Sequence, residues 1–217
     1  MVDLRRTSVI TAAVVGTSLL LGGLTSWAQG VLPDALAPFA NSPSGWTLLT
    51  VLVVATARPS LGAGAALGVA SFVSLVLGYT AASELRGLSY DPVLWGVVGV
   101  VAGPVVGAAA AAVVDRRPVV AAVGAGVLAG VLVADGIYGL TVVGGSTSPV
   151  YWTLCLVAGC ALVGTTAVRL RSPAAAAGVV ASAAAATGVL TVGYGVLNRC
   201  PEAVPRLMGQ ESGRSQA

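Results

Sequence analysis

The sequence predicts an all-α fold: a polytopic transmembrane helical bundle of seven spans with its N-terminus inside. Of the 217 residues, 56% are hydrophobic and 9% charged, whereas soluble domains carry about 25% charged residues. The mean hydropathy is +0.92. Several apolar stretches exceed about 18 residues, the length that crosses a bilayer as a helix. They are continuous and lack the alternation of a transmembrane β-barrel.

The chain divides into an N-terminal segment, one membrane domain and a tail. Residues 1–7 form a basic cytoplasmic start, residues 8–198 the helical domain, and residues 199–217 a polar extracytoplasmic tail that we expect to be disordered. The expected spans are 8–29, 44–57, 61–82, 93–114, 119–143, 151–168 and 174–198.

The second span is short, because fourteen residues make a helix of about 21 Å against a hydrocarbon core of about 30 Å. The arginines favour a crossing. If every span crosses, the loops of one side carry Arg5, Arg6, Arg58, Arg116, Arg117, Arg169 and Arg171, and those of the other carry Arg86. This asymmetry is typical of a cytoplasmic N-terminus. It would vanish if the second span did not cross.

The end of the first span leaves an alternative open. Ser26 and Ala28 resemble a signal-peptidase site after an apolar run. Cleavage there would leave six spans with unchanged orientation. The run is long for a signal peptide, which favours an uncleaved helix.

Glycines recur at helical spacing within the spans: Gly64 and Gly68, then Gly99, Gly103 and Gly107, then Gly126 and Gly130. Small residues allow helices to approach closely in lipid, so we expect packing faces inside one bundle. A homo-oligomer through these faces is the alternative. Pro104 should kink the fourth span.

The aromatic residues fall on one side of this topology. All four Trp and all five Tyr lie in the half expected to face outward. An interfacial belt explains such residues, but belts normally occupy both interfaces. An outer cavity lined by these rings is the second explanation.

Asp135 stands within "VLVADGIYGL", residues 131–140, and no span contains Lys, Arg or His to neutralise it. An acid within a membrane span should face the protein interior or a water-filled pocket. It is either protonated and bonded to a neighbouring helix, or ionised and in contact with water or a cation. Tyr138 and Gly139 share its face, and Gly139 should leave space beside it. Polar residues at a similar level, the expected partners, are Gln29, Thr80, Thr153, Thr191 and Asn198.

These patterns define a candidate binding or proton site centred on Asp135. Its members are Asp135, Tyr138, Tyr79, Trp95, Trp152 and Tyr194. The alternative for Asp135 is a buried structural hydrogen bond.

Much catalytic chemistry is excluded by composition. The chain has no His and no Lys, which excludes His-containing triads, HExxH zinc sites, a retinal Schiff base and a Walker A motif. One Asp within the spans cannot form an aspartyl-protease pair. Cys155, Cys160 and Cys200 match no zinc spacing; a link between Cys155 and Cys200 is conceivable, and a buried apolar role is the alternative. We therefore expect no enzyme activity, cofactor, metal or nucleic-acid partner.

The stretches "ANSPSGW" (40–46), "GY" (78–79), "GP" (103–104) and "ADGIYGL" (134–140) resemble a family of uncharacterised actinobacterial integral membrane proteins. The resemblance covers residues 16–168 and implies an inner-membrane location without an established activity. It also implies an acid near position 135, where Glu is commoner than the Asp of this chain.

Two functions remain open. The first is a structural or interaction protein of the cell membrane, with the bilayer and an unidentified membrane or envelope protein as partners. The second is an outward-opening small-solute binder or carrier that uses Asp135. Its layout is similar to the substrate-capturing components of vitamin uptake systems, in which Ala12 and Gly16 would correspond to a partner-binding face. This analogy concerns the fold alone.

Overall fold

A computed structural model describes residues 4–198 of the chain, and these are all-α. They form seven α-helices and one short 3-10 helix, η1, at Ala37–Asn41. The α-helices are α1 (Leu4–Val31), α2 (Pro43–Thr56), α3 (Leu61–Leu85), α4 (Val93–Val113), α5 (Pro118–Thr141), α6 (Pro149–Leu170) and α7 (Pro173–Asn198). Each predicted span corresponds to one helix, so the predicted helical membrane bundle is confirmed. The tail 199–217 lies outside the described residues.

Helix lengths separate α2 from the rest. Within the described chain, six helices are long and apolar enough to cross a membrane, and α2 is a shorter apolar helix. The predicted ends were a few residues wrong: α1 begins at Leu4 and ends at Val31, and α3 continues to Leu85. In both cases polar or charged residues continue a helix beyond its most apolar part.

The packing of α1 against α3 bears on whether α2 crosses. Ser18 bonds to Ser71 at 2.8 Å, and Ser26 bonds to Ser83 at 2.9 Å. A residue later in α1 thus bonds to a residue later in α3, which shows that the two helices run parallel. The chain must return between them through residues 32–60. This geometry supports a crossing made by η1 and α2 together.

The chain uses the same arrangement twice. The helices α5 and α7 also run parallel, since Gly126 contacts Val179 and Gly130 contacts Thr187, with α6 returning between them. Both returning helices begin Ser-Pro-x-x-Trp, at Ser42–Trp46 and Ser148–Trp152. Each is followed by an Arg with positive φ, Arg58 or Arg171. Hydropathy alone does not reveal this similarity.

The predicted glycine faces are confirmed as packing faces. A Cβ at Gly68 or Gly107 would collide with the other helix's backbone in the α3–α4 contact, and one at Gly126 would collide with α7. These faces are therefore occupied within the chain, so an oligomer would need other surfaces. The helix α4 continues through Pro104.

Candidate functional site

Asp135, a residue of α5, lies inside the bundle beside the N-terminus of α2. Its side chain is 1% exposed. The Oδ2 atom accepts the main-chain N–H of Ser44 at 3.0 Å and also the Ser44 hydroxyl. The Oδ1 atom accepts the Tyr194 hydroxyl at 3.0 Å. One carboxylate thus joins α2, α5 and α7.

The start of α2 explains why an acid is needed here. A helix leaves its first N–H groups without partners in its own backbone, and in the membrane interior these groups must still be satisfied. Pro43 has no N–H, Gly45 donates to the Ser42 hydroxyl at 3.1 Å, and Ser44 donates to Asp135. The positive end of the helix dipole also favours an anion at this position. Asp135 therefore caps α2 from another helix.

A chain of hydroxyl groups ends on the carboxylate. Tyr151 bonds to Ser42 at 2.7 Å and to Ser44 at 2.8 Å. The Ser44 hydroxyl donates its proton to Asp135 and can only accept in its other contacts. Ser42 lies 2.7 Å from the Tyr151 hydroxyl and 3.2 Å from that of Ser44, so these three hydroxyl groups form one connected set beside Asp135. We refer to Ser42, Ser44, Asp135, Tyr151 and Tyr194 as the capping network.

Of the other residues predicted for the site, Tyr194 alone bonds to Asp135. Tyr138 stacks on Tyr194 with ring centroids 4.4 Å apart, and its hydroxyl donates to Asn198 at 3.3 Å. Tyr138 thus lies between the capping network and the exposed end of α7 without touching the carboxylate.

Trp152 fills the space that Gly139 was expected to leave beside Asp135. A Cβ at Gly139 would collide with the Trp152 indole ring. The indole N–H donates to the Thr147 hydroxyl at 2.9 Å. The expectation of an open space was therefore wrong, because the missing side chain admits a neighbouring ring instead of water or solute.

Tyr79 and Trp95 belong to a separate aromatic cluster. Both pack on Trp46, with ring centroids 5.6 and 6.0 Å from it. Phe72 completes the contact from α3. The aromatic residues predicted to line one outer site thus divide between this cluster and the capping network with the two rings that pack on it, Tyr138 and Trp152.

The prediction of hydrogen-bond partners for Asp135 was wrong. Gln29, Thr80, Thr153, Thr191 and Asn198 make no hydrogen bond to it; Thr80 and Thr153, for example, bond to main-chain oxygens of their own helices. Its direct partner Ser44 was missed, as were Ser42 and Tyr151, which bond to Ser44. The signal available for them was "SPS", residues 42–44, in which a Ser cap and a Pro mark a helix start.

Two grooves open on the sides of the bundle. One, of about 350 Å³, lies between α2 and α6 and is lined mostly by apolar residues, together with Ser44 and Tyr151 of the capping network. The other, of about 420 Å³, lies between α1 and α2. Asp135 lines neither groove.

In residues 4–198, no group of three or more His, Cys, Asp or Glu side chains could hold a metal. Among the described residues Cys155 has no disulfide partner; it is buried, with its Sγ atom 3.6 Å from the Ser44 hydroxyl. Cys160 is unpaired and exposed. The conceived link from Cys155 to Cys200 involves a residue outside the described part.

Comparison with known families gives one match. The family described as "Family of unknown function (DUF6518)" matches residues 1–200. No curated protein and no solved structure matches the chain. The match agrees with the resemblance to an uncharacterised family and supplies no activity.

Proposed function

We propose that this chain, which belongs to the family of unknown function DUF6518, is a non-enzymatic structural or interaction protein of the cell membrane. In this proposal Asp135 serves the architecture of the bundle and does not bind a solute. The short helix α2 depends on it, and α2 contacts α1, α3, α4 and α5. The capping network would keep these helices in one arrangement for a membrane or envelope partner.

The proposal rests on the hydrogen bonds that both oxygens of Asp135 accept within the bundle. Both carboxylate oxygens are occupied by donors from Ser44 and Tyr194, and 1% of the residue is exposed. A ligand would have to displace these donors and uncap α2. An unpaired N–H would then remain in the membrane interior, at a cost of about 1–3 kcal/mol.

A solute-binding role has less support from the same geometry. Asp135 itself lines neither lateral groove, although its partner Ser44 lines the groove between α2 and α6, and Trp152 occupies the space next to Gly139. A cation at Asp135 would also face the positive end of the α2 dipole. The predicted aromatic residues do not surround one common space, because Tyr79 and Trp95 pack around Trp46.

Replacement of Asp135 separates the two roles. We expect Asp135→Asn to lower the thermal stability of the purified protein and Asp135→Leu to lower it further, because Asn retains one acceptor and Leu none. Hydrogen exchange should rise in the first turn of α2. Asp34→Asn, at an exposed acid, is the matched control and should change neither quantity.

The cellular readout uses a strain that lacks the gene. If the role is architectural, rescue by each variant should follow the amount of folded protein in the membrane. The proposal fails if Asp135→Asn abolishes rescue while abundance, thermal stability and α2 exchange equal those of the wild type. That result would favour the solute binder.

A further inference from the structure

The end of the bundle opposite the aromatic clusters carries exposed arginines. We define the basic end by Arg58, Arg116, Arg117, Arg169 and Arg171, which lie in or beside the turns after α2, α4 and α6. Among the described residues, the acidic residue at the basic end is Asp115. The acids in or beside loops of the other end are Asp34, Glu84 and Asp91.

Asp115 neutralises one of these arginines. Its carboxylate accepts two side-chain hydrogen bonds from Arg117, at 3.1 and 3.0 Å, and the Arg117 main-chain N–H at 2.8 Å. These bonds lower the pKa of Asp115 to about 2, so it stays ionised at neutral pH. In the described chain this is the one ion pair. Arg58, Arg116, Arg169 and Arg171 therefore keep their charge available for other anions.

Arg58 and Arg171 have a backbone conformation that disfavours Arg. Their φ angles are +45° and +44°, in the left-handed region where a Cβ is strained and where Gly or Asn usually ends a helix. Arg171 directly follows the end of α6, Arg58 lies two residues after the end of α2, and both side chains are exposed. Folding alone would favour Gly at these positions. Strain retained at two matching positions points to a use for the charge.

We infer that the basic end binds the phosphate groups of anionic phospholipids, with Arg58 and Arg171 as the principal contacts. The argument is charge complementarity: Arg116, Arg169 and Arg171 lie at the ends of helices long and apolar enough to cross a membrane, and Arg58 lies at the same end of the bundle. Anionic headgroups lie where such helices leave the hydrocarbon layer. A guanidinium group matches phosphate with two parallel hydrogen bonds. Juxtamembrane arginines gain free energy from an anionic leaflet. The inference is independent of the role of Asp135.

The test measures lipid affinity and fold stability together. Purified full-length protein in neutral detergent is titrated with dioleoyl phosphatidylglycerol or, separately, dioleoyl phosphatidylcholine. Bound lipid is counted by native mass spectrometry, and thermal stability is recorded without lipid. The double variants are Arg58→Gly with Arg171→Gly, and Arg58→Lys with Arg171→Lys as the charge-preserving control. Asn at both positions serves if the Gly variant does not fold, since Asn tolerates this conformation.

In the Gly variant, we expect thermal stability and lipid affinity to change in opposite directions. Its lipid-free stability should equal or exceed that of the wild type, because the strain is relieved, while its affinity for phosphatidylglycerol should fall on the order of tenfold. The affinity of the Lys variant should lie between those of the wild type and the Gly variant, because Lys keeps the charge but not the paired hydrogen bonds. Phosphatidylcholine should bind weakly to all three proteins.

Three outcomes would overturn the inference. The first is unchanged phosphatidylglycerol affinity in the Gly or Asn variant. The second is equal binding of the two lipids by the wild type. The third is complete displacement of phosphatidylglycerol by millimolar inorganic phosphate, which would identify a free anion as the ligand.

Discussion

The main-chain N–H of Ser44 on α2 lies 3.0 Å from the Oδ2 atom of Asp135 on α5, and 91 residues separate the two in the chain. A main-chain donor at the start of a short membrane helix is thereby paired with an acid from a distant helix. Both residues are buried. Their pairing gives the acid in "VLVADGIYGL" a physical role, and it places α2 relative to α5.

Ser44→Ala should lower stability by about 1–3 kcal/mol, because the hydroxyl bonds to Asp135 and Tyr151 are lost while both partners stay buried. The main-chain bond to Asp135 remains. A double variant with Asp135→Asn should lose less than the sum of the two single losses, since the residues share one network. Thermal unfolding in detergent measures this cycle. Full additivity would show that the two side chains do not act together.

Gly68→Ala should destabilise the α3–α4 contact by a few kcal/mol, because the new Cβ would meet the backbone of Gly103 and Gly107. Gly96→Ala is the control: nothing lies within 4 Å of its Cβ position. Alanine there should be neutral, or stabilise by about 0.5–1 kcal/mol through helix propensity. Equal effects at both positions, measured by thermal unfolding, would contradict the close approach of α3 and α4.

Thr50→Val should raise stability by about 1 kcal/mol. The Thr50 hydroxyl is buried in α2 and has no hydrogen-bond partner among the described residues, and Val keeps the branched shape without the polar group. Thr50→Ala should instead lower stability, since it leaves a cavity. Thermal unfolding of both variants checks this order. A loss on changing to Val would mean that the hydroxyl has a partner, such as a bound water.

Tyr90→Phe should stabilise the protein at neutral pH and more strongly in alkali. The Tyr90 hydroxyl is buried without a partner. Burial, Tyr79 and Asp91 raise its pKa in the folded state. Ionisation of Tyr90 therefore does not affect the free energy of unfolding below the unfolded pKa of about 10. As pH rises above that value, ionisation favours the unfolded chain and the free energy of unfolding declines.

The measurement for Tyr90→Phe is thermal unfolding between pH 7 and 11. Part of the alkaline decline in stability should disappear with the hydroxyl. Tyr138→Phe provides the comparison, because that hydroxyl has a partner in Asn198 and its removal should not stabilise. If Tyr90→Phe leaves the alkaline decline in stability unchanged, other ionisable groups cause that decline.

Cysteine labelling tests the proposed orientation. In a chain without its native cysteines, Arg116→Cys should react with a membrane-impermeant maleimide after permeabilisation alone. Leu88→Cys, at an exposed position of the opposite end, should react in intact cells. The reverse pattern would invert the bundle in the membrane.

The sequence by itself determined the class, the seven helices and the internal packing faces of the part of the protein that the structure describes. Apolar length, charge asymmetry and glycine spacing are properties of single segments, so "WGVVGVVAGPVVGAAAAAVV" is recognisable as a membrane helix with a small-residue face before any partner is known. The buried acid could also be located, because one charge in an apolar run needs no alignment of helices to be noticed.

The tertiary structure alone decided what Asp135 contacts. Ser44 and Tyr194 are 91 and 59 residues away in sequence, and no periodicity within one helix indicates which helix end lies beside which carboxylate. The parallel pairing of α1 with α3, and the entry of Trp152 into the space beside Gly139, were hidden for the same reason. Contacts between helices depend on relative depth and rotation, which are set by the packing of all helices together.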